Sequence, residues 1–236
     1  MFPLRDSVPS SRPPVVNVLL IVACAGVFLF ELSLGPYLER FIRVYAFVPA
    51  RFFHLLTVRG GVTLGLKSAL LSMFLHGGWL HLIGNMWFLW IFGDAVEDVL
   101  GHVPYLLFYL ACGAAAAIGQ AVVAPSSAVP MVGASGAIAG VLGAYLVWFP
   151  WARVRTLVFL GFFFTVAELP APIFLIIWFV VQFFSGTLAL AAAGPTAGGV
   201  AWFAHIGGFL AGVLLALVLR GSARAHPRPR YASYGE

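Results

Sequence analysis

The chain has 236 residues, of which 62% are hydrophobic and only 9% are charged. Soluble domains are about half apolar and about a quarter charged, so this composition excludes an ordinary soluble domain and indicates a membrane protein. The formal net charge of +5 does not indicate nucleic-acid binding, because the basic residues lie near the ends of apolar runs and not in one patch.

The first apolar run covers residues 15–34 and follows Arg5 and Arg12. About 20 apolar residues are enough to cross the roughly 30 Å of hydrocarbon in a bilayer. A cleaved signal peptide fits less well, because the run lacks a small-x-small cleavage site. The sequence therefore predicts a retained first span, preceded by a cytoplasmic N-terminal segment over residues 1–14.

A long connecting segment, residues 35–72, separates the first span from the second. It contains five basic residues among phenylalanines and leucines, with breakers at Pro49 and at Gly60. Such a mixture is typical of a segment that lies in the membrane interface.

Five further spans are predicted from the apolar runs that follow. They cover residues 79–92, 103–123, 133–149, 171–191 and 202–219. The acidic sequence 93–101 is interpreted as a turn, 157–167 as an apolar segment too short to cross, and 194–199 as a Gly-rich loop. The basic tail, residues 221–236, is expected to be disordered.

The predicted fold is an all-α, polytopic transmembrane bundle of six spans, with one domain over residues 15–220. Six spans place both termini on the same side of the membrane. That side carries eight arginines, whereas the other carries the five basic residues of the long first loop. The positive-inside rule then predicts that both termini are cytoplasmic.

Polar side chains inside membrane spans are costly, so each one needs a reason. His81, Asn85, Ser135 and His205 stand out within the predicted spans, and His76 lies at the start of the second span. The two cysteines are isolated in apolar runs and form neither a disulfide framework nor a zinc pattern.

Ser135 begins a short predicted helix. The run from Ser135 to Trp148 makes about 21 Å of helix, less than the roughly 30 Å of hydrocarbon. If Arg153 and Arg155 anchor its far end, Ser135 lies about 10 Å below the surface. Its helix N-terminus offers free N–H groups to a developing oxyanion. Taken alone, the residue also fits a plain N-cap serine, because the glycines that follow it form a helix-packing face.

His205 lies near the start of the sixth predicted span, with Gly208 and Gly212 on its own helix face. Small residues allow two helix backbones to approach closely. If this face packs against the glycines that follow Ser135, the hydroxyl and the imidazole lie at similar depth and within hydrogen-bonding reach. A purely structural hydrogen bond is the alternative for a histidine in a membrane helix.

His81 and Asn85 are four residues apart and therefore lie on one helix face. An imidazole and a carboxamide can both donate to a developing negative charge, but a buried interhelical hydrogen-bonded pair fits the spacing equally well. Metal ligation by His76, His81 and His205 is disfavoured, because no intramembrane carboxylate or cysteine lies at ligand spacing. The sequence predicts no metal and no cofactor.

Four motifs then occur in a fixed order along the chain. They are FLHGGWLHLIGNM at 74–86, FGDAVEDVLG at 92–101, GASGAIAG at 133–140 and AHIGGFLAG at 204–212. Each is weak alone, but together with the hydropathy they make the chain resemble the rhomboid family of intramembrane serine proteases. The resemblance implies a six-helix core, with Ser135 as the nucleophile and His205 as the general base of a two-residue dyad.

The same resemblance implies that His81, Asn85 and the backbone N–H of Ser135 form the oxyanion site. His76 would anchor the outer end of the second span, and Glu97 would hold the turn before the third.

Three glycines are expected to support the site. Gly133 and Gly136 would let a substrate backbone approach the nucleophile, and Gly208 would allow close packing of the histidine-bearing helix.

The chain departs from the family pattern at two places. Many relatives carry a Trp-Arg pair in the first long loop, which this chain lacks. Some relatives place an aromatic residue four positions after the nucleophile, where it stacks on the histidine. Here that position is Ala139, so His205 needs other support.

The predicted function is hydrolysis of peptide bonds in or near transmembrane segments of other proteins. The expected partners are transmembrane protein substrates and membrane lipids but no nucleic acid, and the oligomeric state is left open. The expected location is a bacterial cell membrane. An inactive relative that binds membrane proteins is one alternative, and a transporter with broken helices is another. The presence of both Ser135 and His205 argues against the first, and the lack of an evident repeat argues against the second.

Overall fold

The computed structural model describes residues 2–161, 163–193 and 201–221. The predicted Gly-rich loop, 194–199, and the predicted basic tail beyond residue 221 lie outside the described residues. Within them, the helices are α1 (Val15–Ser33), α2 (Leu38–Tyr45), α3 (Pro49–Leu56), α4 (Gly61–Ser72), α5 (Trp79–Leu100), α6 (His102–Val123), α7 (Ser135–Trp148), α8 (Ala171–Ala193) and α9 (Trp202–Leu219).

Three of the described helices, α1, α6 and α9, are long and apolar enough to cross a membrane. Helix α7 and the first part of α8 are equally apolar but shorter. The fold is therefore a mostly helical membrane bundle, as the composition predicts. That the bundle crosses the membrane six times stays a prediction. The segment 35–72, which was expected to lie in the interface, forms the short helices α2, α3 and α4.

Helix α5 continues through the acidic sequence that was interpreted as a turn. It ends only before Gly101, whose φ of +83° favours glycine and separates α5 from α6. Glu97 accepts hydrogen bonds from the backbone N–H groups of Val16 at 2.9 Å and Asn17 at 2.7 Å. The first N–H groups of a helix lack intrahelical partners, so this carboxylate caps α1 and complements its dipole.

The apolar segment 157–167, which was interpreted as too short to cross the membrane, lies in a β-hairpin. Strands β2 (Arg153–Leu160) and β3 (Phe163–Pro170) pair antiparallel, and Gly161 between them has a φ of +72°. Strand β1 (Phe2–Asp6) adds to the other edge of β2, which gives the order β1-β2-β3. This small sheet is an addition to the helical bundle that the sequence analysis did not predict.

The N-terminal segment is held against the end of the bundle that lies opposite Ser135. Trp87 donates from Nε1 to the carbonyl oxygen of Pro3 at 2.7 Å. Tyr145, near the end of α7, donates from its hydroxyl to Oδ2 of Asp6 at 2.6 Å, and Ser10 donates to Asp94 at 2.7 Å. These contacts connect β1 to α5 and α7.

We predict that Asp6 makes the fold less stable as the pH rises. Burial, aided by the charge of Asp94 and opposed by the Tyr145 hydrogen bond, raises the pKa of Asp6 from 3.8 to about 7. A carboxyl group with a raised folded-state pKa stabilises the fold most when it is protonated in both states, and this contribution is lost as the pH rises from 3.8 to about 7. Thermal unfolding in detergent should therefore show a Tm that falls over this range, and Asp6→Asn should flatten the fall.

Glu168→Gln, at an exposed position of β3, is the matched control. It should keep the pH dependence of the parent. An Asp6→Asn protein whose Tm changes with pH as steeply as that of the parent would contradict this account of the N-terminal strand.

Candidate active site

The backbones of α7 and α9 are in direct contact through glycines. A Cβ atom on Gly208 would overlap the carbonyl oxygen of Gly136, and one on Gly212 would overlap that of Gly140. The two glycine faces therefore pack together, as their spacing predicts.

This contact brings Ser135 and His205 together. Ser135 is the first residue of α7, and His205 lies in the first turn of α9. Oγ of Ser135 and Nε2 of His205 are 2.8 Å apart, which is a hydrogen bond. His205 is only 8% exposed, so its imidazole is largely shielded, whereas Ser135 is half-buried. A hydroxyl in contact with an imidazole is one arrangement that supports nucleophilic catalysis.

His81 and Asn85 lie beside Gly133, two residues before Ser135. A Cβ atom on Gly133 would lie 2.5 Å from Nε2 of His81 and 3.4 Å from Nδ2 of Asn85. Gly133 also has a φ of +118°, which favours glycine. His81, Asn85 and Gly133 therefore lie together, two residues along the chain from Ser135.

Nδ2 of Asn85 is a buried donor without an acceptor among the described residues. Leaving such a group unpaired costs about 1–3 kcal/mol, and the few buried polar groups that stay unpaired in native proteins call for an explanation. A donor held free beside a candidate nucleophile is suited to bind a negative charge that forms there.

His76 lies three residues before the start of α5, and its anchoring role stays a prediction. Its backbone N–H donates to Oε2 of Glu31 on α1 at 3.2 Å, and its ring makes an edge-to-face contact with that of His81 at 5.3 Å. It therefore connects α1 to the segment that carries His81. Glu97 is remote from this site, at the opposite end of α5, where it contacts His102 as well as α1.

A cavity of about 30 Å³ adjoins Ser135. Small residues such as Gly136, Ala116 and Ala204 form much of its wall, together with Met73. A space of this size accommodates a methyl group or about one to two water molecules.

Sequence analysis missed several polar residues of the spans. Gln182 on α8 places Oε1 2.6 Å from Nδ1 of His205, and Gln120 on α6 accepts from the backbone N–H of Ala204 at 3.2 Å. On α1, Asn17 donates to the carbonyl oxygen of Leu89 at 2.9 Å. Each is a polar residue within an apolar run, so the criterion that singled out His81 and Asn85 also applied to these residues.

The comparisons with known proteins identify the family. A family model described as the Rhomboid domain matches residues 63–222, which is more than half of the chain. The chain belongs to the rhomboid family. It is therefore an integral membrane protein, in keeping with its apolar helices.

The curated relatives include proteins from plants, bacteria and mammals. Rhomboid-like protein 11, chloroplastic, of Arabidopsis thaliana is 32% identical over 63% of this chain and 50% of its own length. Rhomboid protease GluP of Bacillus subtilis is 47% identical over 30% of this chain and 14% of its own length. The mitochondrial presenilin-associated rhomboid-like protein of Bos taurus is 32% identical over 60% of this chain and 35% of its own length. The chain thus spans half or less of these relatives.

Among the described residues, no group of three or more histidine, cysteine or acidic side chains is arranged to hold a metal ion.

Gly208→Ala should separate Ser135 from His205. The added methyl group would meet the backbone of α7 at Gly136, which cannot rotate away as a side chain can. We expect a loss of stability of about 1–3 kcal/mol, measured by denaturation in detergent, and a loss of any activity that needs the hydrogen bond.

The matched control is Gly26→Ala on α1, where a Cβ atom would meet nothing within 4 Å. This substitution should leave activity unchanged and raise stability by up to about 1 kcal/mol, through helix propensity. Equal behaviour of the two alanine variants would contradict the proposed role of the α7–α9 contact.

Proposed function

We propose that the protein is an intramembrane serine endopeptidase that hydrolyses peptide bonds in or near membrane-spanning segments of other proteins. The observation that carries this proposal is the 2.8 Å contact between Oγ of Ser135 and Nε2 of His205, within a membrane bundle of the rhomboid family. Two bacterial relatives are named as a rhomboid protease and a putative rhomboid protease, which agrees with the proposal.

In the proposed reaction, Oγ of Ser135 attacks the substrate carbonyl carbon while Nε2 of His205 takes the hydroxyl proton. The C–N bond of the resulting tetrahedral intermediate breaks, and His205 gives the proton to the leaving amine. A water molecule, deprotonated by His205, then hydrolyses the acyl ester and restores the Ser135 hydroxyl.

The oxyanion of the intermediate would be bound by His81, Asn85 and the backbone N–H of Ser135. Gly77 directs its backbone N–H at Nδ1 of His81 at 3.4 Å. If Nδ1 accepts this hydrogen bond, Nε2 carries the proton of the neutral ring. Nε2 is then the donor on the Gly133 side. Each oxyanion donor contributes about 3 kcal/mol in comparable enzymes.

The substrate would be a membrane-spanning segment that unwinds locally, because a hydrogen-bonded helix hides its carbonyl groups. At Gly133, the ring of His81 occupies the space where a Cβ atom would lie, so this glycine lets His81 approach the chain next to the nucleophile. The cavity of about 30 Å³ beside Ser135 favours a small side chain next to the bond that is cut.

The topology is also part of the proposal. Both termini would be cytoplasmic, with the domain over residues 15–220 between them and membrane lipids around it. The named relatives include chloroplastic, mitochondrial and Bacillus proteins, so they do not favour the predicted bacterial inner membrane over another membrane.

Ser135→Ala and His205→Ala should each abolish proteolysis. Removing either member of the pair leaves no activated nucleophile, so the rate should fall about 10³-fold or more. The measurement is cleavage of a model single-span substrate by the purified protein in liposomes. Ser33→Ala and His54→Ala are matched controls at exposed positions and should cleave at the parent rate.

Parent-like cleavage by either site variant would overturn the protease proposal. A parent that binds the substrate without cutting it would instead support the inactive, substrate-binding alternative.

His81→Ala and Asn85→Ala should each lower kcat about 10²-fold. KM should change little, because the lost hydrogen bonds form with the tetrahedral intermediate and not with the bound substrate. Ile83→Ala, an exposed position between them on α5, is the control. An unchanged kcat for both site variants would remove these residues from the oxyanion site and leave the dyad in place.

A further inference from the structure

The imidazole of His205 has a partner at each ring nitrogen. Nε2 lies 2.8 Å from Oγ of Ser135, and Nδ1 lies 2.6 Å from Oε1 of Gln182 on α8. Gln182 is buried, with 8% of its surface exposed. A polar side chain buried in a membrane helix and directed at a candidate catalytic base calls for a functional explanation.

We propose that Gln182 is a positioning residue, which holds the His205 ring in the tautomer and orientation that let Nε2 take the proton of Ser135. This inference rests on the proposed function. It assigns the support of the histidine to a helix that carries neither member of the dyad.

The chemistry of the two groups fixes the tautomer. An amide carbonyl oxygen can only accept a hydrogen bond, so Nδ1 of His205 must donate. The neutral ring then has its free lone pair on Nε2, where it accepts from the Ser135 hydroxyl. In the opposite tautomer, lone pairs on Nδ1 and Oε1 would face each other, and Nε2 could not act as a base.

Helix α8 supplies a second contact from the same face. Trp178 lies one helical turn before Gln182, and its ring centroid is 6.0 Å from that of His205 at an interplanar angle of 37°. The residue four positions after the nucleophile is Ala139, which has no ring to stack on the histidine. The pair Trp178 and Gln182 on α8 therefore provides the support that α7 does not.

A neutral amide suits this position better than a carboxylate. A buried carboxylate in an apolar bundle carries a large desolvation cost, whereas the amide of Gln182 orients the ring without adding a charge. The hydrogen-bond partners of the His205 ring among the described residues are Ser135 and Gln182. Losing one of them leaves the ring free to turn or to change tautomer.

The test uses two substitutions that separate orientation from packing. Gln182→Met keeps the side-chain length and removes the acceptor, whereas Gln182→Glu keeps the acceptor and adds a charge. The readout is the rate at which a fluorophosphonate labels Ser135 in the full-length protein, measured against pH and located by mass spectrometry. Labelling reports the reactivity of the hydroxyl and does not require a protein substrate to dock.

Gln182→Met should label about tenfold more slowly, which corresponds to the loss of one hydrogen bond, with kcat reduced and KM unchanged in the cleavage assay. Gln182→Glu should label at a rate near that of the parent at high pH. Its pH of half-maximal labelling should move upward, because a carboxylate stabilises the imidazolium. The other titratable group that acts on His205 among the described residues is His81 on α5, which both variants retain.

Val181→Leu, at the adjacent exposed position of α8, is the control and should match the parent. Parent-like labelling by Gln182→Met at every pH would overturn the inference while the proposed function stands. If Gln182→Met fails to fold, Gln182→Leu decides: a folded Gln182→Leu protein that is labelled at the parent rate also overturns the inference. A parent that is not labelled at Ser135 contradicts the proposed function itself.

Discussion

The contact between the backbones of α7 and α9 determines the rest of the site, because no Cβ atom fits where they meet. Gly208 lies against Gly136, and Gly212 lies against Gly140. With no side chains between the helices, the short helix that begins at Ser135 is held at the depth of His205, and their polar atoms come within 2.8 Å. Lipid provides no hydrophobic drive for helices to associate, so such close packing is one of the forces available to fix this geometry.

Helices α8 and α5 supply the other polar groups around Ser135 and His205. Helix α8 contributes Gln182 and Trp178 to the far side of the imidazole, while α5 brings His81 and Asn85 to the Gly133 side of the serine. The carboxylates at the other end of α5, Glu97 among them, hold the start of α1. These polar groups thus serve either the packing of helix ends or the candidate site.

The sequence predicted the parts of the fold that depend on local patterns. Helix α7 begins at Ser135, as counting from its glycine motif predicts, and the packing of two glycine faces was also predicted.

The extension of α5 through its acidic sequence was not predicted, because its carboxylates are stabilised by the N-terminus of α1, a partner distant in sequence. The hairpin after α7 was missed because an apolar run in a membrane protein was compared only with helix lengths. Gln182 was missed although it is a polar residue in an apolar span, since its partner is visible only in three dimensions.

The most direct test of the central claim is the structure of the protein after reaction with a fluorophosphonate. The account predicts a phosphonyl group bonded to Oγ of Ser135, with Nε2 of His205 beside it and the phosphoryl oxygen directed at Nε2 of His81 and Nδ2 of Asn85. An adduct on another residue, or a phosphoryl oxygen turned away from both donors with His205 remote from Ser135, would contradict it.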